Sequence, residues 1–302
     1  MRELFSFTAV KRLLLFVALL SLINCSRTKK DDNFGSDKII TDFNVTLQEI
    51  DDLEQRIPND SLRLTILSKL SLEYLTKDST LFRKINAATL NLAKELSDDN
   101  VAANAYWDLA YFYSRASYLD SSYASYYKAY QKFNSLGNEA KAGKMMLNMA
   151  VSQERARDYV GSENSSFKAL ELLPKTKKKD IYAVHNNLAI IYNGLDDFDR
   201  AVEHHKLAID TALEINDQEL LANSSNNLAV VYLENGFYND ALGYVKQALA
   251  VKDLKQIDTE LYAMVLDNYA YIQLKAGDSK DFLKTSNRAL EIRDSIRHQA
   301  GM

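Results

Sequence analysis

From residue 60 onward the chain repeats one arrangement of apolar, small and polar positions about every forty residues. The clearest copies are Asn186-Asn187-Leu188-Ala189-Ile190-Ile191-Tyr192 and Asn226-Asn227-Leu228-Ala229-Val230-Val231-Tyr232. Asp267-Asn268-Tyr269-Ala270-Tyr271-Ile272-Gln273 is a degraded third, and Leu147-Asn148-Met149-Ala150 and Trp107-Asp108-Leu109-Ala110 extend the series backwards. The small residues Ala110, Ala150, Ala189, Ala229 and Ala270 are spaced by 40, 39, 40 and 41, with Ser71 in that role 39 before Ala110. A second small residue follows each Ala by 19, at Ala129, Ala169, Ala208, Ala248 and Ala289. Within a copy, Leu188, Ile191 and Tyr192 stand at i, i+3 and i+4, which is one face of a helix. Turn residues lie between the two small positions, as at Asn193-Gly194, Asn235-Gly236 and Gly277-Asp278. Gly suits a helix C-cap and Asp or Asn the following N-cap. Each unit therefore reads as helix, tight turn, longer helix and short loop. Methyl-sized side chains let antiparallel helices approach to about 8 Å.

This pattern resembles the tetratricopeptide repeat (TPR), whose first helix carries Leu-Gly/Ala-x-x-Tyr and whose second carries spaced Ala. Leu109-Ala110 with Tyr113, Leu188-Ala189 with Tyr192 and Leu228-Ala229 with Tyr232 match the first helix, and Ala201 and Ala241 the second. Gln153 and Gln273 depart from the Tyr, Ser122, Ser162 and Phe282 from the earlier Ala, and the period is nearer 40 than the common 34. The resemblance covers about 60 to 300 and is nearest the long-repeat subgroup of kinesin light chains and bacterial sensor ectodomains. It implies an all-α, right-handed superhelical solenoid of antiparallel helix pairs, about six repeats over 59–300. Residues 41–58 are expected to form an N-terminal capping helix, with Leu47, Ile50, Leu53 and Ile57 on one side and Pro58 ending it.

The N-terminus has a different pattern. Arg2, Lys11 and Arg12 precede the run Leu13–Ile23, 11 residues with one Ser. That length suits a signal-peptide core rather than a span of about 20 residues. Leu22-Ile23-Asn24-Cys25 then resembles the lipobox of bacterial lipoproteins, although Asn24 stands where Gly, Ala or Ser is usual. The resemblance implies a signal peptide over 1–24 and a diacylated Cys25, and two acyl chains suffice for stable anchoring. Polar residues 25–40 suit a flexible tether. The expected location is the cell envelope, lipid-anchored; simple secretion to the periplasm is the alternative.

Composition sharpens this picture. Only 9 Gly and 2 Pro occur, which favours helices joined by short loops. The net charge of −4 becomes about −6 once 1–24 are removed, so a phosphate-binding basic face, and hence a nucleic-acid partner, is not expected. Lys175, Lys177, Lys178 and Lys179 form the densest basic cluster and read as a solvated turn. A single Cys builds neither an internal disulfide nor a thiolate metal site. The chain carries no glycine-rich phosphate loop, HExxH, GxSxG or CxxC. His204 and His205 point about 100° apart on a helix and do not share a metal as an i, i+4 pair does. No catalytic residue, cofactor or metal is expected.

The remaining candidates lie on the first helices. Asn148, Asn187, Asn227 and Asn268 recur at one position, with Asp108 in the same slot. In TPR arrays this helix lines the concave face, where the resemblance implies an Asn clamp on an extended peptide. A carboxamide offers the donor and the acceptor that a peptide unit needs. Asn186, Asn226 and Asp267, and the aromatics Tyr111 and Tyr271, would add specificity. Equally, the Asn could bond neighbouring helices between repeats. The implied function is a non-catalytic scaffold for a protein or peptide partner, with a regulatory sensor module as the alternative. A C-terminal apolar face including Leu283, Leu290 and Ile296 is a candidate for self-association.

Overall fold

The computed structural model describes residues 46–300. The signal sequence, Cys25 and the tether lie outside the described residues. Two compact units divide at Leu92/Ala93. All regular structure among the described residues is helical: α1 Leu47–Asp51, α2 Leu53–Arg56, α3 Asp60–Tyr74, α4 Ser79–Glu95, α5 Asp99–Arg115, α6 Leu119–Ser135, α7 Glu139–Arg155 and α8 Tyr159–Leu172, then α9 Lys178–Gly194, α10 Phe198–Glu214, α11 Gln218–Glu234, α12 Tyr238–Leu249, α13 Leu254–Ile257, α14 Thr259–Lys275 and α15 Ser279–Ala300.

The first unit holds α1 to α3 and most of α4. The expected capping helix is two short pieces, α1 and α2, with Ile50 and Ile57 buried and Leu47 exposed. Lys84 Nζ ties α1 down through the Leu47 carbonyl (2.9 Å) and Asp51 (2.5 Å). Arg63 donates to the Ile57 carbonyl at 2.9 Å, which fixes the turn into α3. Leu64, Leu67, Phe82 and Ile85 close its core.

In the second unit, antiparallel pairs stack in sequence: α5/α6, α7/α8, α9/α10, α11/α12 and α14/α15, with α13 in the loop before the last. The fold is a TPR-like helical solenoid. All ten small residues from Ala110 to Ala289 are buried. A larger side chain at any of them would push two backbones apart. First helices of successive pairs approach one another, α7 with α9 and α11 with α14, which places them on the inner side of the stack. Where the second helix has Ser instead of its earlier Ala, the hydroxyl bonds the facing first helix. Ser122 donates to the Ala110 carbonyl (3.0 Å) and Ser162 to that of Ala150 (2.7 Å).

The turns repeat as regularly as the helices. Asp98, Asn138, Asp158, Asp197, Asp217 and Asp258 each cap a helix by accepting the N–H three residues on, at 2.9 to 3.2 Å. The residue before most of these caps is left-handed. Gly236 (φ 81°) and Gly277 (φ 85°) fill that role as expected. Gly194 does not: it ends α9, and Asp196 takes the left-handed position at φ 57°. Short polar side chains tolerate that region best after Gly.

Candidate functional site

The buried Ala of each first helix is position 0 of its repeat, with +1 the next residue and −1 the one before. At 100° per residue, positions +1 and −6 nearly coincide, and −2 and −3 flank them on either side. The +1 row is Tyr111, Val151, Ile190, Val230 and Tyr271. Tyr111 is 43% and Tyr271 48% exposed, Val151 and Ile190 are also exposed, and Val230 is partly so. The −6 row adds Asn104, Lys144, Ala183, Asn223 and Met264. The inner face of the stack therefore carries an apolar stripe at +1, one residue per repeat from α5 to α14, beside a mixed polar and apolar row at −6.

Polar bonds between neighbouring first helices border the stripe. Asn268 donates to Asn226 Oδ1 at 2.9 Å, and Asn227 to Asn186 Oδ1 at 3.3 Å and to Asn223 Oδ1 at 3.0 Å. Position −2 thus points back to position −3 of the preceding repeat. In α9 that partner would be the apolar Leu147, and Asn187 turns instead to Ser162 (3.2 Å) and Ser166 (3.0 Å) on α8. Lys141 donates to Asn104 at 3.0 Å, Lys144 pairs with Asp180, and Asn193 donates to Glu234 at 2.9 Å. These bonds hold the helices in register while leaving the +1 side chains uncovered.

This geometry corrects part of the expected clamp. Asn187 is only 4% exposed and Asn226 is buried, so neither reaches a bound segment. Asp267 is engaged by Arg293 of α15, whose Nε lies 2.8 Å away. Asn148, Asn186, Asn227 and Asn268 keep partial exposure at the edge of the stripe. Tyr111 and Tyr271 lie in it. The +1 row as a whole escaped sequence reasoning, although a signal existed: five apolar residues in a row that faces away from both flanking helices.

Two ionisable sites stand out. Burial pushes Asp108, at position −2 of α5, up to about 6. On α9 and α10, His185 and His204 meet with Nδ1 atoms 3.1 Å apart and rings stacked at 5.3 Å. Tyr192 stacks on the other side of His204 at 5.4 Å, donates to Glu163 at 2.5 Å and lies under the Arg200 guanidinium. Burial, then the neighbouring His204, holds both His185 and His205 down to about 4. No cluster of three or more His, Cys, Asp or Glu side chains suited to a metal occurs among the described residues. Two of the four lysines of the Lys-rich turn are paired: Lys178 with Glu214 at 2.9 Å and Lys179 with Asp217 at 2.8 Å. No described helix is long and apolar enough to cross a membrane. At the C-terminal end Leu283 and Leu290 are 63% and 55% exposed, whereas Ile296 packs against the core and leaves that face.

Comparison with known proteins bears on the fold. Residues 180–254, essentially α9 to α12, match the family profile of the tetratricopeptide repeat. No curated protein matches the sequence. Among solved structures, the chain is similar to a signal transduction ATPase with a tetratricopeptide repeat sensor from Pyrococcus horikoshii, at 16% identity and TM-score 0.68 over 83% of this chain and 40% of that one. Aspartyl phosphate phosphatase F from Bacillus subtilis gives 14% identity and TM-score 0.61 over 98% of this chain and 77% of that one. BtubC from P. vanneervenii gives 17% and 0.56, over 79% and 92%. At such identities the likeness is one of architecture.

Proposed function

We propose that this chain is a non-catalytic scaffold that receives an extended protein segment along its first helices, held at the cell envelope by lipid on Cys25. The exposed +1 row carries the reading. Five apolar side chains in line, fixed by polar bonds on both edges, form a surface that water covers poorly. Their repeat spacing suits a partner that is long and apolar at intervals rather than compact. The partly exposed Asn148, Asn227 and Asn268 offer carboxamides at its edge for the partner's backbone. Rigid repeat arrays present such extended inner surfaces as a rule.

A photo-crosslinking amino acid placed at Tyr111, Ile190 or Tyr271 tests this in cells. All three positions should capture the same partner, and Val160 on the outer surface should not. Equal capture from Val160, or none from the three, would sink the groove. For the anchor, cells grown with labelled palmitate should yield a labelled, membrane-bound chain, and Cys25→Ala should lose the label and leave the membrane fraction. Retention of the variant on the membrane would overturn the anchor and leave the groove untouched.

A further inference from the structure

The outer side of the last helix pair holds a second site. Position +3 of the first helices is Tyr in three units and Gln in two. The structure shows what the Tyr does. Tyr192 reaches between the flanking second helices, bonding Glu163 on α8 and stacking on His204 of α10. Tyr232 fills the same space one unit on, against Phe198 of α10 (5.5 Å) and Tyr244 of α12 (5.4 Å). In α7 the smaller Gln153 is supplied with partners, donating to Asp158 at 3.0 Å and accepting from Ser165 at 2.6 Å.

Gln273 of α14 has neither a ring nor partners. It is 2% exposed and its Oε1 has no hydrogen-bond partner. Where the Tyr ring would lie, a cleft of about 480 Å³ opens between α12, α14 and α15. Leu249, Tyr262, Leu266 and Tyr269 form its apolar wall beside Gln273, and Asp281, Lys284, Thr285 and Arg288 of α15 form its polar rim. Lys284 and Arg288 stand at i, i+4 and point the same way. Arg288 lies over the Tyr262 ring at 5.4 Å, and neither cation has an ion-pair partner among the described residues. An unpaired buried acceptor costs free energy that an occupant with a donor recovers. The volume falls within the range of small-ligand sites.

We propose that this cleft binds a small organic monoanion: a carboxylate joined to an amide N–H and a large apolar side chain, as in an N-acyl amino acid or the last residue of a peptide. The carboxylate meets Lys284 and Arg288, the Gln273 carboxamide turns its enclosed Oε1 into the cleft to accept the N–H, and the side chain packs against Leu249 and Leu266. Two cations and one Asp leave a single net positive charge, which suits a carboxylate better than a doubly charged phosphate. The site does not rest on the groove, because Gln273 and Tyr271 lie on opposite faces of α14.

Calorimetric titration of the full-length chain with N-acetyl-L-phenylalanine, its C-terminal amide, and an octapeptide ending in a free Phe carboxylate tests the assignment. The carboxylates should bind and the amide should bind at least about tenfold more weakly, the factor for one charged hydrogen bond. Gln273→Tyr restores the side chain of the sibling units and should abolish binding while keeping or raising the thermal midpoint. Lys284→Gln with Arg288→Gln, on an exposed rim, should weaken carboxylate binding by the same factor if Gln273→Tyr misfolds. Tighter binding of the octapeptide would identify a chain terminus as the source, and tighter binding of N-acetyl-L-phenylalanine a small molecule. No carboxylate binding, equal binding of the amide, or undiminished binding by the variants would overturn the proposal.

Discussion

Acid should loosen the α9/α10 pair, and His205 sets the size of the effect. Its ring is buried, its Nδ1 has no partner, and burial holds its pKa down to about 4. In the unfolded chain a His titrates near 6.5. Between those values the unfolded state binds the proton and the folded state does not, so stability falls as pH falls. The contribution is whole above about pH 6.5 and is lost progressively towards pH 4. At pH 5 the linkage relation gives a loss of about 2 kcal/mol for His205 alone. His185, also lowered to about 4, adds roughly half as much, because it is only partly buried. Asp108 works in the opposite direction. Its folded pKa is raised to about 6, so acidification relieves a buried charge and returns roughly 0.7 kcal/mol, half the full linkage value because the carboxyl is only partly buried. Glu163, Glu203 and Arg200 also face the cluster through His204, whose own pKa is lowered mainly by burial. The net loss is roughly 2 kcal/mol, or about 4 to 8 °C in midpoint for a domain of this size.

Circular dichroism melts at pH 7.5 and 5.0 measure this directly. The control is His205→Leu, close in volume and without a titrating group. It should remove the larger share of the pH difference and cost little at pH 7.5, because the ring nitrogen it deletes is unbonded. A native midpoint unchanged between the two pH values, or a drop of the same size in the variant, would refute the reasoning.

Other outcomes follow from the same contacts. Asp108→Asn should raise the midpoint at pH 7.5 by the equivalent of about 1 kcal/mol, with no gain at pH 4, where the native carboxyl is already protonated. A double-mutant cycle on Asn226→Ala and Asn268→Ala, read by urea denaturation, should return a coupling of about 1 kcal/mol; additive losses would mean that the amide pair contributes nothing. Ala229→Leu should destabilise by about 1–3 kcal/mol through overpacking, whereas Val230→Leu next to it should change stability by under about 0.5 kcal/mol. If the Leu283 and Leu290 face associates, Leu283→Glu with Leu290→Glu should lower the mass found by light scattering without lowering the midpoint.

The solenoid was legible because close packing of helices requires small residues, and a forty-residue recurrence of Ala has few other causes. The N-caps were legible too, since Asp and Asn at a helix start leave a local mark. What escaped was side-chain direction within a correctly placed helix. Asn187 and Asn227 occupy the same slot in nearly identical heptapeptides, yet one turns to serines on α8 and the other to Asn186. The difference lies forty residues upstream, where Leu147 offers no acceptor and Asn186 does. Gly194 misled for a similar reason: its neighbour Asp196 reaches the left-handed region well enough to end the turn.

Position +3 carries that argument furthest. One slot on the first helix holds Tyr192, which spans two second helices; Gln153, whose amide finds Asp158 and Ser165; and Gln273, which finds nothing. Read along the sequence, the two Gln are the same departure from the repeat. Read across it, the residues twelve positions after each Gln differ: Ser165 supplies a hydroxyl at 2.6 Å in one unit, and Thr285 in the other makes its hydrogen bond to the Asp281 carbonyl at 3.0 Å. A repeat protein tolerates a lost ring wherever the adjoining helix supplies a bond. Where it does not, the deficit appears as open volume beside an unpaired acceptor, and a ligand can make it good. In this chain that condition is met at the last helix pair, on the side of α14 that faces away from the groove.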